Sequence, residues 1–360
     1  MTAVSVLMPT YNHARYLPEA IESVLAQSDP DWELLVMDDN SSDHTWEVLT
    51  SYRDPRIQVF RSQINRGAAA TSNDLYRHST GNLIAHLDSD DRYHPAFIAR
   101  QRAYLSDHPD VDICGTFTCE IGADGQTHDS WGVTAWFNHE LDLNDPANWV
   151  WQNRLSHGST MIRRSVYDHN GLSSEDLSVV LDWDFWVRAL AAGHRFHVLP
   201  EVLFQWRVHG NNITNADPAE TVRCWSEISG RTFHPYLDRI HRRDLKAKNI
   251  AGFLTHKEMA NQPTEFVTSI LGNVLTGEPD ELAEAVAHVA TEITGLRDAY
   301  VELRESVQEH RQESARLTAE LSRTRVERDT LSDRLHAAQI ERRSTQGLLQ
   351  RLQSMRPKGR

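Results

Sequence analysis

The first 108 residues alternate short, β-branched apolar runs with amphipathic stretches. This alternation predicts strands and helices in strict turn, an arrangement typical of βαβ units on a parallel sheet. Open α/β sheets of this Rossmann-like class bind ligands just beyond the carboxyl ends of their strands. The residues after each strand are therefore the candidates for ligand contact. The strands are expected at 4–8, 33–37, 57–60 and 83–87, and the helices at 17–26, 45–52 and 68–79.

Two further globular segments follow this first half. Residues 109–215 are rich in Trp and His, and their pattern predicts a helix over 182–192 and a strand over 197–207. We interpret 1–215 as one α/β domain in two halves, 1–108 and 109–215. Residues 216–280 have helical periodicity and form a predicted helical extension.

A change of composition marks the C-terminal tail, where glycine nearly vanishes beyond residue 281. Apolar residues recur there every seven positions from Leu296 to Leu352, with a second set from Tyr300 to Leu349. An a/d heptad of this kind predicts a coiled coil over 281–355, about 100 Å long, and hence a homo-oligomer. A solvated helix or a partly disordered tail is the alternative, because polar residues such as Arg328 occupy seam positions.

The charge and the cysteine content exclude several classes of protein. A formal net charge of -14 excludes nonspecific electrostatic capture of nucleic acid or of an anionic membrane. The three cysteines lack the paired spacing of a zinc site or a disulfide framework, so we expect free thiols in a reducing compartment. The N-terminal residues lack the basic and long apolar regions typical of a leader, and no stretch approaches roughly 18 apolar residues. We therefore expect a soluble, cytoplasmic chain without a transmembrane segment, and leave peripheral contact with the inner membrane open.

An acidic cluster follows the fourth predicted strand directly. Asp88, Asp90 and Asp91 place three carboxylates within four residues, and their mutual repulsion is usually relieved by a divalent cation. Mn²⁺ or Mg²⁺ at this position would bridge diphosphate oxygens. We predict Asp88 and Asp90 as metal ligands and Ser89 as a neighbouring donor contact. An acidic turn without metal is the alternative.

Polar turns also follow the first two predicted strands. After the first strand, the turn Pro9, Thr10, Tyr11 and Asn12 offers a partly apolar slot for a nucleotide base. After the second strand, Asp39 could accept a hydrogen bond from a base N–H or a ribose hydroxyl. The helix cap in that second turn is assigned to Ser42 or Asp43.

The third predicted helix begins at Asn65, Arg66 and Gly67. Small residues at a helix start allow close approach to a bound group, and Arg66 could meet phosphate charge there. A solvent-exposed arginine is an equal alternative for Arg66.

Two motifs in the second half carry further candidates. Asp182 begins a helix beside Trp183 and Trp186, where a carboxylate could act as a general base in a site with little water; a helix cap is the alternative. Arg207 and His209 alternate onto one face of a strand, which suits diphosphate binding by Arg207 and metal binding by His209. A structural histidine is the common alternative.

Taken in order, these six motifs resemble the family 2 glycosyltransferases of GT-A fold over residues 3–215. The resemblance implies a nucleotide-sugar donor, uridine foremost, with Asp39 at the base, Asp88 and Asp90 as ribose and metal carboxylates, and Asp182 as the catalytic base. It also makes 1–108 the nucleotide-sugar half and 109–215 the acceptor half. Family members commonly have Glu-Asp where this chain has Leu181-Asp182, so the neighbouring acidic group is missing here.

The implied activity is an inverting, metal-dependent sugar transfer from a nucleotide diphosphate sugar to an acceptor hydroxyl. The acceptor is a glycan, a lipid-linked sugar, a protein or a small molecule. Two alternatives remain: a sugar nucleotidyltransferase, which releases pyrophosphate, and a non-catalytic coiled-coil scaffold that binds sugar nucleotides.

Overall fold

The computed structural model describes residues 3–130, 132–210, 217–259, 262–275, 283–291 and 316. The chain divides into two compact units, Met1–Val289 and Ala290–Arg360, and every element below belongs to the first. Apart from residues 283–291 and 316, the predicted coiled coil lies outside the described residues.

The first half of the fold contains all four strands and all three helices that the sequence predicts. The four strands are parallel in the order β3-β2-β1-β4. The strands are β1 Val4–Thr10, β2 Trp32–Asp38, β3 Ile57–Arg61 and β4 Leu83–His86, and the helices are α1 Leu17–Leu25, α2 Thr45–Leu49 and α3 Gly67–His78.

Burial explains why these segments form a two-sided parallel sheet. Every residue of β2 and β4 is buried, as expected for strands covered on both faces. The helix α1 buries Leu17, Ala20, Ile21 and Val24, which recur with the helical period and form one apolar face.

The second half extends the same sheet. Among the described residues the sheet has nine strands, in the order β3-β2-β1-β4-β8-β6-β9-β5, with β7 paired to β6. Because β8 runs antiparallel to β4 and to β6, the whole sheet is mixed. The parallel arrangement expected within residues 1–108 is correct for β1 to β4, and β6 and β9 are parallel as well. Two further elements, strand β5 Arg92–Tyr93 and helix α4 Phe97–Asp107, end the first half. The second half adds strands β6 Ile113–Gly122, β7 Thr127–His128, β8 Met161–Arg163 and β9 Phe196–Val208, and helices α5 Val133–Phe137, α6 Arg164–Asn170 and α7 Leu181–Ala192.

The strand order reverses beside β1. From β1 the chain proceeds outward to β2 and β3, then returns to place β4 on the other side of β1. Ligands of open α/β sheets bind where the strand order reverses in this way. The loops that follow β1 and β4 meet at this point, since β1 and β4 are parallel neighbours.

Helices follow the sheet within the first unit. The predicted extension contains α8 Pro218–Ile228, α9 His234–Arg239, α10 Arg243–Thr255 and α11 Thr264–Val274, with a π-helical turn at Ser229–Phe233. Asp217 begins α8 by accepting the N–H of Ala219 at 2.9 Å. Within the part of the chain that the structure describes, no helix is both long and apolar enough to cross a bilayer.

Candidate active site at the sheet edge

The acidic loop after β4 holds side chains of different exposure. Asp88 is accessible to water, whereas Ser89, Asp90 and Asp91 are buried. Protein surrounds Asp88 on most sides despite this access, and the resulting loss of hydration raises the pKa of its carboxyl to about 7, helped by the charges of Asp90 and Asp182. The loop therefore presents Asp88 to a ligand and keeps the other two aspartates inside.

Asp91 is held by an arginine from β9. Its Oδ1 accepts the backbone N–H of Arg207 at 2.7 Å. Burial raises the pKa of Asp91 well above its usual range, and the charges of Asp90 and Asp88 add to this shift while Arg207 opposes it. Asp91 is thus a structural member of the loop.

Arg207 does not have the position expected of a diphosphate ligand. Its side chain is fully buried. The guanidinium donates to the carbonyl of Asp90 at 2.6 Å, to that of Gly122 at 3.0 Å and to Glu19 at 2.8 Å. These contacts leave the side chain no surface for a phosphate, so the expected role is corrected: Arg207 shapes the loop that carries Asp90.

Asp90 and His209 are together, as the sequence predicts, and a second histidine joins them. The Nε2 atom of His209 lies 2.9 Å from Oδ2 of Asp90. One ligand atom each from His13, Asp90 and His209 lie within 4.8 Å of one another. Asp88, expected as a metal ligand, is not a member of this group. Nothing in the sequence pattern marks His13, because the chain has nineteen histidines.

Asp39 lies at the start of α3. Its carboxylate accepts the backbone N–H of Arg66 at 3.0 Å and that of Gly67 at 2.7 Å. Gly67 has a φ of +85°, a conformation that glycine adopts without strain. Asp39 therefore anchors this helix start, and its contact with a nucleotide base stays a prediction.

Asp43 stabilises the turn that leads into α2, whose cap position is occupied by His44 without a side-chain cap bond. The two carboxylate oxygens of Asp43 accept the N–H of Thr45 at 2.9 Å and that of Ala14 at 3.1 Å. The expected cap at Ser42 or Asp43 is therefore corrected: the cap position is one residue later, and Asp43 acts from just before it.

The turn after β1 presents one large side chain. Tyr11 is 46% exposed, whereas Thr10 is buried and Pro9 is half-buried. Asn12 has a φ of +55°, and its Oδ1 accepts the N–H of Ser42 at 2.8 Å, which ties the first two loops together. Tyr11 is therefore the surface that a base could stack on.

At the start of α3, the polar side chains already have partners. Asn65 accepts the N–H of Gly67 at 3.2 Å. The guanidinium of Arg66 is paired with Asp74 at 2.6 Å and stays 40% exposed. Arg66 would have to change its partner to bind phosphate.

Asp182 is the second residue of α7 and reaches the same site. The preceding Val180 has a φ of +53°, an unfavourable conformation for a β-branched residue. Burial raises the pKa of the Asp182 carboxyl to about 6, although hydrogen bonds from the N–H of Trp183 and from Asn153 lower it. The charge of Asp182 also raises the pKa of Asp88, so the two carboxylates lie near each other.

Asn153 is a site residue that the sequence does not reveal. Its Nδ2 donates to Oδ2 of Asp182, and its Oδ1 accepts the N–H of Leu155 at 3.1 Å. The backbone carbonyl of Asn153 accepts Nε1 of Trp136 at 2.8 Å. Asn153 lies between regular elements, where a single amide carries no periodic signal.

Asp184, two residues beyond Asp182, has a different environment. It is fully buried and accepts from Arg188 at 2.9 Å, from Arg231 at 3.1 Å and from Ser174 at 2.7 Å. Asp184 therefore connects α7 to the helical segment. Trp183 and Trp186 are buried too, in agreement with an apolar wall beside Asp182.

Comparison with known proteins identifies this arrangement. The model of the family "Glycosyl transferase family 2" matches residues 5–171. A Bacillus subtilis protein named as a glycosyltransferase, EpsE, is 32% identical over 209 residues, which are 57% of this chain and 72% of EpsE. The Escherichia coli UDP-Glc:alpha-D-GlcNAc-diphosphoundecaprenol beta-1,3-glucosyltransferase WfgD is 42% identical over 88 residues, 24% of this chain and 35% of WfgD.

A solved structure has the same fold. The crystal structure of S. aureus TarS 1-349 in complex with UDP-GlcNAc superposes with a TM-score of 0.62 and 19% identity, covering 82% of this chain and 92% of that chain. At this identity the likeness shows the fold alone. The predicted α/β domain of GT-A type is thereby confirmed.

Proposed function

This chain belongs to glycosyltransferase family 2, and from that membership we propose that it moves a sugar from a nucleotide diphosphate sugar to an acceptor hydroxyl, with inversion at the anomeric carbon. The observation that carries the proposal is the approach of Asp182 to the acidic loop, since its charge raises the pKa of Asp88. A base and a donor-binding carboxylate are the two groups that a direct displacement needs in one site.

We propose a UDP-sugar as the donor. WfgD is named for a UDP-glucose donor, and TarS was crystallised with UDP-GlcNAc. In this chain the exposed ring of Tyr11 would stack on the base, Asp39 would accept from it, and Asp88 would bind the ribose. The acceptor belongs to one of the four classes named from the sequence: a glycan, a lipid-linked sugar, a protein or a small molecule.

A divalent cation fits the donor set of the site. Asp90 and His209 offer a carboxylate oxygen and an imidazole nitrogen 2.9 Å apart, a mixed oxygen and nitrogen pair that binds Mn²⁺ or Mg²⁺. When bound, such a cation neutralises the diphosphate and the charge that develops on the leaving group.

The chain's own residues supply the proton transfer. Asp182 takes the proton of the acceptor hydroxyl as that oxygen attacks the anomeric carbon, and a single displacement inverts the configuration. A pKa of about 6 leaves the carboxylate ionised at neutral pH while it stays basic enough to accept a proton. Asn153 and the N–H of Trp183 hold its two oxygens in place.

A panel of nucleotide sugars tests the proposal. We expect release of nucleoside diphosphate from one donor in the presence of Mn²⁺ or Mg²⁺, and its loss on chelation. Release of pyrophosphate from a nucleoside triphosphate would instead support a sugar nucleotidyltransferase. Binding without turnover of any donor, with every acceptor class present, would support a non-catalytic scaffold.

The proposal extends to the organisation of the chain. We propose a catalytic domain over 1–215, a helical extension over 216–280, and association through a coiled coil over 281–355. Sedimentation of the full chain and of a chain ending at residue 280 tests the last point, because only the full chain should associate.

A further inference from the structure

We infer that His13 is a third protein ligand beside Asp90 and His209, and that this set of two imidazoles and one carboxylate holds Mn²⁺ in preference to Mg²⁺ before any nucleotide binds. The inference rests on the proposed function, because it concerns the cation of the same site. It adds a ligand and a metal selectivity to that function.

The three residues come from three separate loops. His13 follows β1, Asp90 follows β4 and His209 follows β9, and their ligand atoms lie within 4.8 Å of one another. Bonds of about 2.0–2.3 Å to one ion place two ligand atoms about 3–4.5 Å apart. A cation therefore needs only a small adjustment to contact all three.

The ring of His13 is already oriented for this role. Its Nδ1 lies 2.8 Å from the hydroxyl of Ser89, which is 1% exposed. With the Ser89 hydroxyl accepting the hydrogen bond from Nδ1–H, Nε2 keeps its lone pair and is the atom that would bind metal. Ser89, expected from the sequence to contact the donor, is instead placed to orient a ligand.

Neighbouring aromatic rings also fix the orientation of the His209 ring. Tyr16 stacks on its ring with a centroid distance of 4.9 Å, and the rings of His13 and His209 meet edge to face at 6.1 Å. Two imidazoles locked in this way lose little freedom when a cation binds, so affinity without nucleotide is expected.

The chemistry of the ligands decides between the two cations. Mg²⁺ prefers oxygen ligands and retains its waters, so an imidazole-rich site suits it poorly. Mn²⁺ accepts imidazole nitrogen more readily. The set expected from the sequence, Asp88, Asp90 and His209, has a single imidazole and would give less selectivity.

Titration of the full, chelator-treated chain with Mn²⁺ alone tests the inference. The signal of free Mn²⁺ in electron paramagnetic resonance gives the Kd, and coupling of bound Mn²⁺ to ¹⁴N counts its imidazoles. We expect two coupled imidazoles in the natural chain. His13→Ala should leave one and raise the Mn²⁺ Kd by about tenfold or more, with a smaller change for Mg²⁺.

Two further variants separate a ligand from a structural residue. His78→Ala removes an exposed histidine at the end of α3 and should leave the Mn²⁺ Kd and the ¹⁴N coupling unchanged. Ser89→Ala should weaken Mn²⁺ binding by about tenfold but keep both imidazoles, because it removes only the orienting hydroxyl.

An unchanged Mn²⁺ Kd in His13→Ala, or coupling to a single imidazole in the natural chain, would overturn the inference. The second measurement needs no variant, so it decides even where His13→Ala fails to fold. Two imidazoles on Mn²⁺ without turnover of any sugar nucleotide would reject the proposed function alone. Turnover with a single imidazole would reject the role of His13 alone.

Discussion

The acidic loop after β4 and the start of α7 each combine two kinds of aspartate. In the loop, Asp91 accepts a hydrogen bond from the backbone N–H of Arg207, and at the helix, Asp184 forms ion pairs with Arg188 and Arg231. Within the described residues, neither Asp88 nor Asp182 is paired with an arginine or a lysine, and both have a raised pKa.

The difference between the two kinds lies in the partner and not in the local sequence. A buried carboxylate with a guanidinium partner stabilises the fold, because removing either group leaves the other as an unpaired buried charge. A carboxylate in the same depression without a cationic partner is available to a substrate. Asp182 and Asp184 are two residues apart in one helix and still fall into opposite classes.

The strongest test removes the unpaired carboxylate of α7. Asp182→Asn keeps the shape of the side chain but eliminates the proton acceptor, so turnover should fall by about 10²–10⁴-fold. Donor affinity and the Tm should stay close to those of the natural chain. Steady-state transfer and donor titration provide the measurement, and full transfer by this variant would refute the assignment of the base.

Replacement of Asp184, the paired neighbour of Asp182, should lower stability and leave turnover unchanged. Asp184→Asn leaves two arginines without their buried partner and should lower the free energy of unfolding by about 3 kcal/mol, while the folded fraction retains turnover. Urea unfolding measures this change. Asp176→Asn removes the 63% exposed partner of the same Arg231 and should cost less than about 1 kcal/mol, so equal losses would contradict the distinction.

A subtler test alters the partner of Asp182. The base is active when ionised, so kcat/KM should fall as the pH drops below about 6, near the pKa of Asp182. Asn153→Ala removes a hydrogen bond that lowers this pKa, so the acid limb should move to higher pH and turnover should fall by about tenfold. The neighbouring exposed Gln152→Ala should leave the pH profile in place, and a profile unmoved in Asn153→Ala would exclude the positioning role.

The smallest effect is expected from Asp43, a carboxylate in the turn before α2 and outside both regions. Asp43→Ala loses the acceptor for the N–H of Thr45 at the start of α2 and should cost about 1 kcal/mol of stability. Transfer at saturating donor should be unaffected. A large loss of kcat with normal stability would instead indicate a catalytic role for Asp43. It would contradict the distinction between structural and catalytic aspartates.

Local patterns could predict part of this molecule. Each of β1 to β4 and the helices between them follows from the period of its own apolar residues, and Asp88 and Asp90 were expected at a strand end for that reason. The role of Arg207 could not be predicted, because its burial depends on Gly122 and Glu19, which lie far from it along the chain. His13 and Asn153 lacked any local signal for the same reason.

The amino-acid sequence by itself determined the βαβ order, the polar motifs at the strand ends and the family, because periodicity and motif order are properties of neighbouring residues. Only the tertiary structure decided which aspartate is open to a ligand and which is buried and hydrogen-bonded inside the protein. That decision depends on ion pairs and hydrogen bonds across the sheet, such as Arg207 with Asp91 and His209 with Asp90, which exist only once β9 has packed beside β6.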